Sequence, residues 1–257
     1  MILVYRAIRP QALLEGIVEA FWRIDATGGP HRVVPDGCMD FIFDLDDPRG
    51  ALVVGAMQHA KVVHLRAGAR VFGVRFRPGA AALYIDAPAR ELRDRVCPLY
   101  DVTRSRRSQL VDRVLASRTD DDRRSAVGAF LDSTAARVRA SDARLRRAVH
   151  VIEASKGMVP VADVASHLAI GERQLQRLFD ERIGVGPKLF ARVARLRHAR
   201  ELQGRTDERD ATLALNAGYA DQAHYVRECR ALFGVTPTIM ARERGVGFVQ
   251  STRARTR

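Results

Sequence analysis

Two short runs of side chains in the C-terminal half have residue types and spacing suited to a definite chemistry. One is Arg173, Gln174, Gln176 and Arg177, and the other is Gln222, His224 and Arg227. A guanidinium can donate two parallel hydrogen bonds to the O6 and N7 edge of guanine, and a carboxamide can pair in the same two-point way with adenine. On one face of a helix these groups make a major-groove reader. On an isolated helix they serve equally well as a solvated face. Arg177 also has a competing partner in Asp180 or Glu181, and Arg227 has one in Glu228 or Glu243.

The elements that must carry these runs occur twice. Val164-Ala165, Leu168, Leu175, Arg177, Phe179, Gly184-Val185 and Pro187 return as Leu213-Ala214, Ala217, Tyr225, Arg227, Cys229, Gly234-Val235 and Pro237. The offset is 49 at Ala165 and Ala214 and becomes 50 at Leu175 and Tyr225, so one residue has entered the second copy at a turn. Each copy reads as a short helix, a break at Ala169-Ile170-Gly171 or Gly218-Tyr219, and a longer helix. That is the helix-turn-helix arrangement, whose second helix enters the groove. Repetition at matched positions is what lifts the reading above a solvated surface.

Between the copies a helix is expected from Pro187 to about Gln203, since Pro suits a first turn and Gly204 suits a helix end. Leu189, Phe190, Val193, Leu196 and Ala199 form its apolar stripe. Arg192, Arg195, Arg197 and Arg200 fill the rest and are expected to be mostly solvated.

The span 141–244 resembles the DNA-binding domain of the AraC/XylS family. The resemblance is strongest over Gly218-Tyr219-Ala220-Asp221-Gln222-Ala223-His224-Tyr225-Val226-Arg227-Glu228-Cys229-Arg230 and Phe233-Gly234-Val235-Thr236-Pro237. It implies a seven-helix module with two helix-turn-helix units joined by a long helix. By position it implies base contacts from Arg173, Gln176 and Arg177 in the first unit and from Gln222, Ala223, His224 and Arg227 in the second. Helix N-termini attract anions, which makes Gly186, Lys188, Thr236 and Thr238 candidate phosphate contacts. Three positions depart from the family pattern. Ala169 stands where Gly is usual, Gly171 where a Ser or Thr cap is usual, and Cys229 where a core Phe is usual.

Composition agrees with a polyanionic partner. The chain has 257 residues, room for two domains, and a net charge of +13. Residues 141–257 hold 21 basic and 13 acidic side chains against 22 and 17 in 1–140, so the excess is concentrated where the repeat lies. Cys38, Cys97 and Cys229 are odd in number and widely spaced, which argues against a disulfide framework and a thiolate zinc site. With no His-x-His pattern either, neither metal nor cofactor is expected. No run approaches a membrane span, and the N-terminus has no signal-peptide order, so a soluble cytoplasmic protein is expected.

The N-terminal half has a different texture. Short β-branched runs at Arg32-Val33-Val34, Met39 to Leu45, Ala51 to Ala56, Lys61 to Leu65 and Ala69 to Phe76, punctuated by Gly, Pro and Asp, read as strands. Leu13 to Trp22 is a strand or a short helix, and Ala80 to Ile85 and Ala89 to Arg95 read as helical. The segments Val33 to Asp40 and Gly73 to Ala80 resemble an uncharacterised domain found ahead of AraC-type readers; the wider family places cupin-like β folds there. Candidate effector contacts are Asp36, Cys38, Asp40, Arg75 and Arg77, with Arg75 and Arg77 on one face of a strand. A packed, inert Cys38 is favoured over a reactive one, because two nearby carboxylates raise a thiol pKa.

The expected architecture is therefore α+β in two domains. Residues 1–100 form a β-rich sensor domain, a cupin-like barrel or sandwich with short helices, and 101–140 form a helical connector that could support dimerisation. Residues 141–245 form the all-α DNA-binding domain of seven helices, and 246–257 a basic tail. The expected function is transcription regulation without catalysis. Expected partners are double-stranded DNA, an unknown small-molecule effector, RNA polymerase and a second copy of the chain, with no membrane. Two alternatives remain: a regulator that accepts an alkyl group on Cys38, and a DNA binder that needs no ligand.

Overall fold

The computed structural model describes residues 3–47, 49–103, 107–132, 143–203 and 210–242. The boundary expected between the connector and the domain that begins at 141, the stop at Gly204, the rival partner Glu243 and the basic tail lie outside these residues.

The N-terminal half is built on antiparallel strands: β1 (Leu3–Ile8), β2 (Val18–Ala26), β3 (Gly29–Val33), β4 (Asp40–Asp44), β5 (Ala51–Val54), β6 (Lys61–Leu65), β7 (Arg70–Phe76) and β8 (Val96–Pro98). Six of them form one sheet in the order β1-β2-β7-β4-β5-β8, and β3 pairs with β6 as a separate ribbon. The sheet is open, with β1 and β8 as its edges. All five strands expected from β-branched runs are present, and the edge strands β1 and β8 are additions. The Leu13 to Trp22 stretch divides into a 3-10 turn at Ala12–Leu14 and the start of β2. Ala80 to Ile85 and Ala89 to Arg95 shrink to 3-10 turns at Ala81–Leu83 and Ala89–Leu92.

Alternation along each strand sends successive side chains to opposite faces. Phe21, Phe41, Phe43, Phe72 and Phe76 lie on one face and are almost wholly buried. They share a core with Leu110, Val114, Val127 and Leu131 from α2 (Arg107–Ala116) and α3 (Asp120–Asp132). The short α1 (Leu99–Val102) leads into this pair. The charged segment expected to be a connector thus spends its apolar stripes on the sheet's own core.

The other face carries a smaller cluster of Trp22, Ile24 and Val71. Trp22 lies directly opposite Gly73 across the β2–β7 ladder, and its indole fills the space where any Cβ on Gly73 would stand. A strand glycine weakens a sheet unless something packs over it. Here the indole does.

Among the described residues seven helices follow: α4 (Ala143–Ala154), α5 (Val161–His167), α6 (Glu172–Arg182), α7 (Pro187–Gln203), α8 (Asp210–Asn216), α9 (Gln222–Phe233) and α10 (Pro237–Arg242). They match the implied count. Among the described residues no helix is long and apolar enough to cross a membrane.

Gly73→Ala should force the indole off the sheet and cost about 1–3 kcal/mol or more, as overpacking does. Trp22 is the sole tryptophan. A lower thermal midpoint with a red-shifted fluorescence maximum is the expected result, and an unchanged spectrum would contradict it.

Candidate nucleic-acid interface

Each helix-turn-helix unit has its own core. In the first, Val164, Ala165 and Leu168 from α5 and its turn meet Leu175, Phe179 and Ile183, with Leu145, Ala148 and Ile152 of α4 and Phe190 of α7. In the second, Leu213, Ala214 and Ala217 meet Tyr219, Tyr225, Cys229, Leu232 and Phe233, with Val193, Leu196 and Ala199 of α7 and Met240 of α10. Cys229 is packed against Met240, Sγ to Sδ 3.8 Å, in the place implied for a core Phe. One helix therefore feeds both cores, Phe190 near its start and Val193 to Ala199 further along. Its 17 residues span about 25 Å at 1.5 Å per residue.

The turns differ in ways the sequence marked. At the offset position Ala169 takes φ +51° where Gly218 takes φ +82°. The first unit puts alanine in the left-handed region, which costs an L-residue about 1–2 kcal/mol, whereas glycine sits there freely. Gly171 precedes α6 with no side-chain cap. Asp221 precedes α9 and accepts a hydrogen bond from the His224 backbone N–H at 2.6 Å. The inserted residue lies within this second turn, between Gly218 and Asp221, and Asp221 stands at the cap position that Gly171 holds in the first unit.

With these cores filled, the candidate readers are left outside. Arg173, Gln174, Gln176 and Arg177 are all exposed on α6, and Gln222, Ala223 and Arg227 are exposed on α9. His224 is half-buried, its ring edge-on to Tyr219 with centroids 5.2 Å apart, so it is the least free of the group. Arg177 lies 4.0 Å from Glu181, and both side chains are largely exposed, a weak pairing. Gln176 donates from Nε2 to Asp180 at 2.8 Å. For Arg227 the rival pairing with Glu228 is absent, because Glu228 points inward and receives Arg192 of α7 through two bonds of 2.7 and 2.8 Å.

That fork corrects the expectation that the α7 arginines are mostly solvated. Arg195 donates to the Gly157 carbonyl at 2.8 Å and lies over the Tyr219 ring. Arg197 packs near Asp36, Cys38 and Glu19 of the β-rich half. These side chains fasten α7 to its neighbours, a role that spacing along one helix cannot reveal. Burial raises the Glu228 pKa, but the Arg192 hydrogen bonds outweigh it, so the carboxyl is held below its ordinary value. A depressed folded-state value stabilises above the unfolded value and is lost as pH falls through the folded one. The α7–α9 tie is therefore an acid-labile one.

Gly186 and Thr236 are half-buried at the starts of α7 and α10, and Lys188 and Thr238 are exposed beside them. Pro187 and Pro237 occupy the first helical positions, as expected.

Four of the candidate effector residues, Asp36, Cys38, Asp40 and Arg75, come together but are bonded to one another, and Arg77 lies apart. Arg75 is buried and bonded to Asp36 at 2.9 Å and Asp40 at 3.1 Å, while Asp40 also accepts from the Trp22 indole at 2.9 Å. Arg75 thus serves the two carboxylates that were to share a ligand with it. Arg77 lies beyond the end of β7, exposed, and donates to the Glu15 carbonyl. The two guanidiniums do not share an open face. Cys38 is buried, and desolvation, then Asp36 and Glu19, push its thiol well above the ordinary range. No group of three metal-ligating side chains occurs among the described residues.

Comparison with known proteins bears on both halves. Residues 164–243 match a family model described as a helix-turn-helix domain. The C-terminal region is an AraC-type helix-turn-helix domain. Residues 6–98 match the model "Domain of unknown function (DUF6597)". The HTH-type transcriptional regulator ArgR of Pseudomonas aeruginosa is 28% identical over 102 residues, 39% of this chain and 31% of that protein. The regulatory protein PocR of Salmonella typhimurium is 28% identical over 97 residues, 37% of this chain and 32% of that protein. The chain thus spans about a third of the length of these curated relatives. An AraC-type DNA-binding domain structure from Chromobacterium violaceum is 28% identical and covers 40% of this chain and 92% of that one, with a TM-score of 0.37. ToxT from Vibrio cholerae, solved with an unsaturated fatty acid bound, covers 96% of this chain and 98% of its own at 11% identity, with a TM-score of 0.46.

The AraC-type domain's two turns lead to opposite mutational outcomes. Ala169→Gly should stabilise by about 1 kcal/mol through relief of the left-handed strain, and Asp221→Ala should destabilise by about 0.5–2 kcal/mol through loss of the cap. Urea denaturation of each single variant checks both signs.

Proposed function

We propose that this chain is a sequence-specific transcription regulator that reads two successive major grooves, α6 lying in one and α9 in the next. The observation that carries this is a matched pair of exposed Arg- and Gln-bearing ridges on duplicated helices. A single continuous helix with one side in each core joins them. Arg173, Gln174 and Arg177 would read bases from α6, with Gln176 released from Asp180 on contact. Gln222, Ala223 and Arg227 would do so from α9, with His224 at the margin. Gly186 and Lys188 at the start of α7, and Thr236 and Thr238 beside α10, suit backbone phosphates, which set orientation and salt dependence rather than sequence.

Modulation through the β-rich half is the finer part of the reading. A cleft of about 360 Å³ lies between the two halves. Arg77 and Leu83 line it on one side, with Leu145, Val149 and His150 of α4 on the other. Its wall is apolar and its rim carries Arg77, Arg146 and Arg182 together with Glu15 and Glu153, which suits a small amphipathic molecule with a polar end. RNA polymerase and a second copy of the chain remain the further partners of such a regulator. The alternative in which Cys38 accepts an alkyl group is disfavoured, since a buried thiol held in its protonated form is a poor nucleophile.

Selection of bound duplexes from a random library should return a site of two short blocks about one helical turn apart. Arg227→Ala should then cost about 1–3 kcal/mol on that site and relax base choice at one position. An equal loss on random DNA would assign Arg227 to phosphate instead.

A further inference from the structure

The base-reading surfaces occupy the N-terminal parts of α6 and α9, so the opposite ends of these helices are free to be held. A helix leaves its last carbonyls without intrahelical donors, and they must find partners elsewhere. At α9 the partners come from the β-rich half. The Ala60 backbone N–H donates to the Leu232 carbonyl at 2.8 Å, and His59, with its proton on Nδ1, donates to the Ala231 carbonyl at 2.9 Å. The Arg32 guanidinium reaches the Phe233 carbonyl at 3.4 Å. Three consecutive terminal carbonyls are thus met from outside the helix-turn-helix unit.

The first unit is gripped at the corresponding place. Arg93 donates through Nη2 to Asp180 on α6 at 2.8 Å and through Nε to the Gly184 carbonyl just past the helix end. Gly184, at φ +96°, lies so close to the Ala89 carbonyl that an added Cβ would stand only 2.8 Å from it. Asp180 is also the residue that receives the Gln176 amide, so the Arg93 contact reaches a reading side chain through one intermediary.

These two grips are joined. Asp94, next to Arg93, accepts hydrogen bonds from the Gln58 backbone N–H and from Gln58 Nε2, both at 2.8 Å. Gln58 directly precedes His59 and Ala60. Lys61 donates to the Asp94 carbonyl, and the Asp94 N–H donates to Ala56. Gly55 leaves no room for a Cβ against the Leu92 carbonyl. Asp94 itself takes φ +57°, a conformation Asp tolerates better than most residues when the surroundings fix it.

We propose that the β-rich domain is part of the reading apparatus: a bracket centred on Asp94 grips the C-terminal ends of both recognition helices, fixes their separation and rotation, and so selects operators by half-site spacing. The long helix α7, fastened to α9 by the Arg192 fork, is one connection between the two units. The bracket closes a second connection between the same two bodies and limits their pivoting about the first. Asp94, Arg93 and Gln58 are positioning residues, none of them placed to touch DNA.

This inference rests on the two-groove reading above. The test uses the full chain and the duplex it selects, with the two base blocks kept and the spacer lengthened by two base pairs, about a fifth of a turn. The wild type should lose tenfold or more in affinity. Asp94→Gly keeps the backbone contacts and accepts the positive φ, and it should lose only about threefold, with affinity for one isolated block unchanged. Arg93→Ala should give the same flattened spacing profile, and Arg93→Lys should restore part of it. Variants with the wild-type spacing profile overturn the bracket while leaving the function intact, as does an equal loss at every spacing. A wild type that selects no two-block site overturns both.

Discussion

Short helices do not persist alone in water, and the fold rests on that constraint. Nucleating a helix fixes several dihedrals for one hydrogen bond, so a segment of seven residues is held only by what it packs against. Both α5 and α8 have seven residues. Each exists because two or three small or branched apolar side chains lock under a longer helix. The recognition helices inherit the same dependence. Their outer faces are polar so that they can meet another molecule, and only an inner stripe anchors them. Every feature that fixes these helices therefore bears directly on how well the chain reads anything.

Charge is used in two opposed ways. On the outer faces of α6 and α9 the guanidiniums are solvated and nearly unpaired, which keeps their donors available. Within the fold, Arg75, Arg93, Arg192 and Arg195 each direct donors to carboxylates or to carbonyls left over at turns and helix ends. The planar fork of arginine suits this better than a lysine ammonium would, since it bonds two acceptors in one geometry. A chain whose basic residues are almost all arginine can thus carry a strong net charge and still use much of it as mortar. Net charge counts both populations alike, which is why it is a weak guide to function by itself.

The C-terminal region was legible in the sequence because its information is local and stated twice. Turn glycines, helical spacing of apolar residues and prolines at first helical turns appear in both copies, and α5 to α10 follow from them. The five runs of β-branched residues gave five strands for the same reason. Edge strands β1 and β8 were missed, since a strand paired on one side needs little alternation and β8 is three residues long. The fate of the second-half arginines and of Asp36, Asp40 and Arg75 was not legible. Whether a charged side chain is solvated, buried in a pair or bonded to a distant carbonyl depends on contacts across many tens of residues. Gly73 illustrates this limit well: nothing near it in sequence says that an indole from β2 lies over it.

The two reading units also differ in how much they can hold by themselves. Both units close their recognition helix with a left-handed glycine, Gly184 and Gly234, but the second also has glycine in its turn and a carboxylate cap on α9, with the Arg192 fork fastening α9 to α7. The first has an alanine in the strained turn position and no side-chain cap. The first is also the unit whose helix end is wedged against Ala89 and seized by Arg93, and whose core takes in Ala56 from the β-rich half. Both units are held from the β-rich half, but the first depends on that hold without a side-chain cap of its own. A change in how the two halves sit together would therefore be felt first at α6, where little else restrains the helix. At α9 local caps would absorb part of the disturbance. The asymmetry of the repeat makes one reader the steadier and the other the more answerable to the β-rich domain.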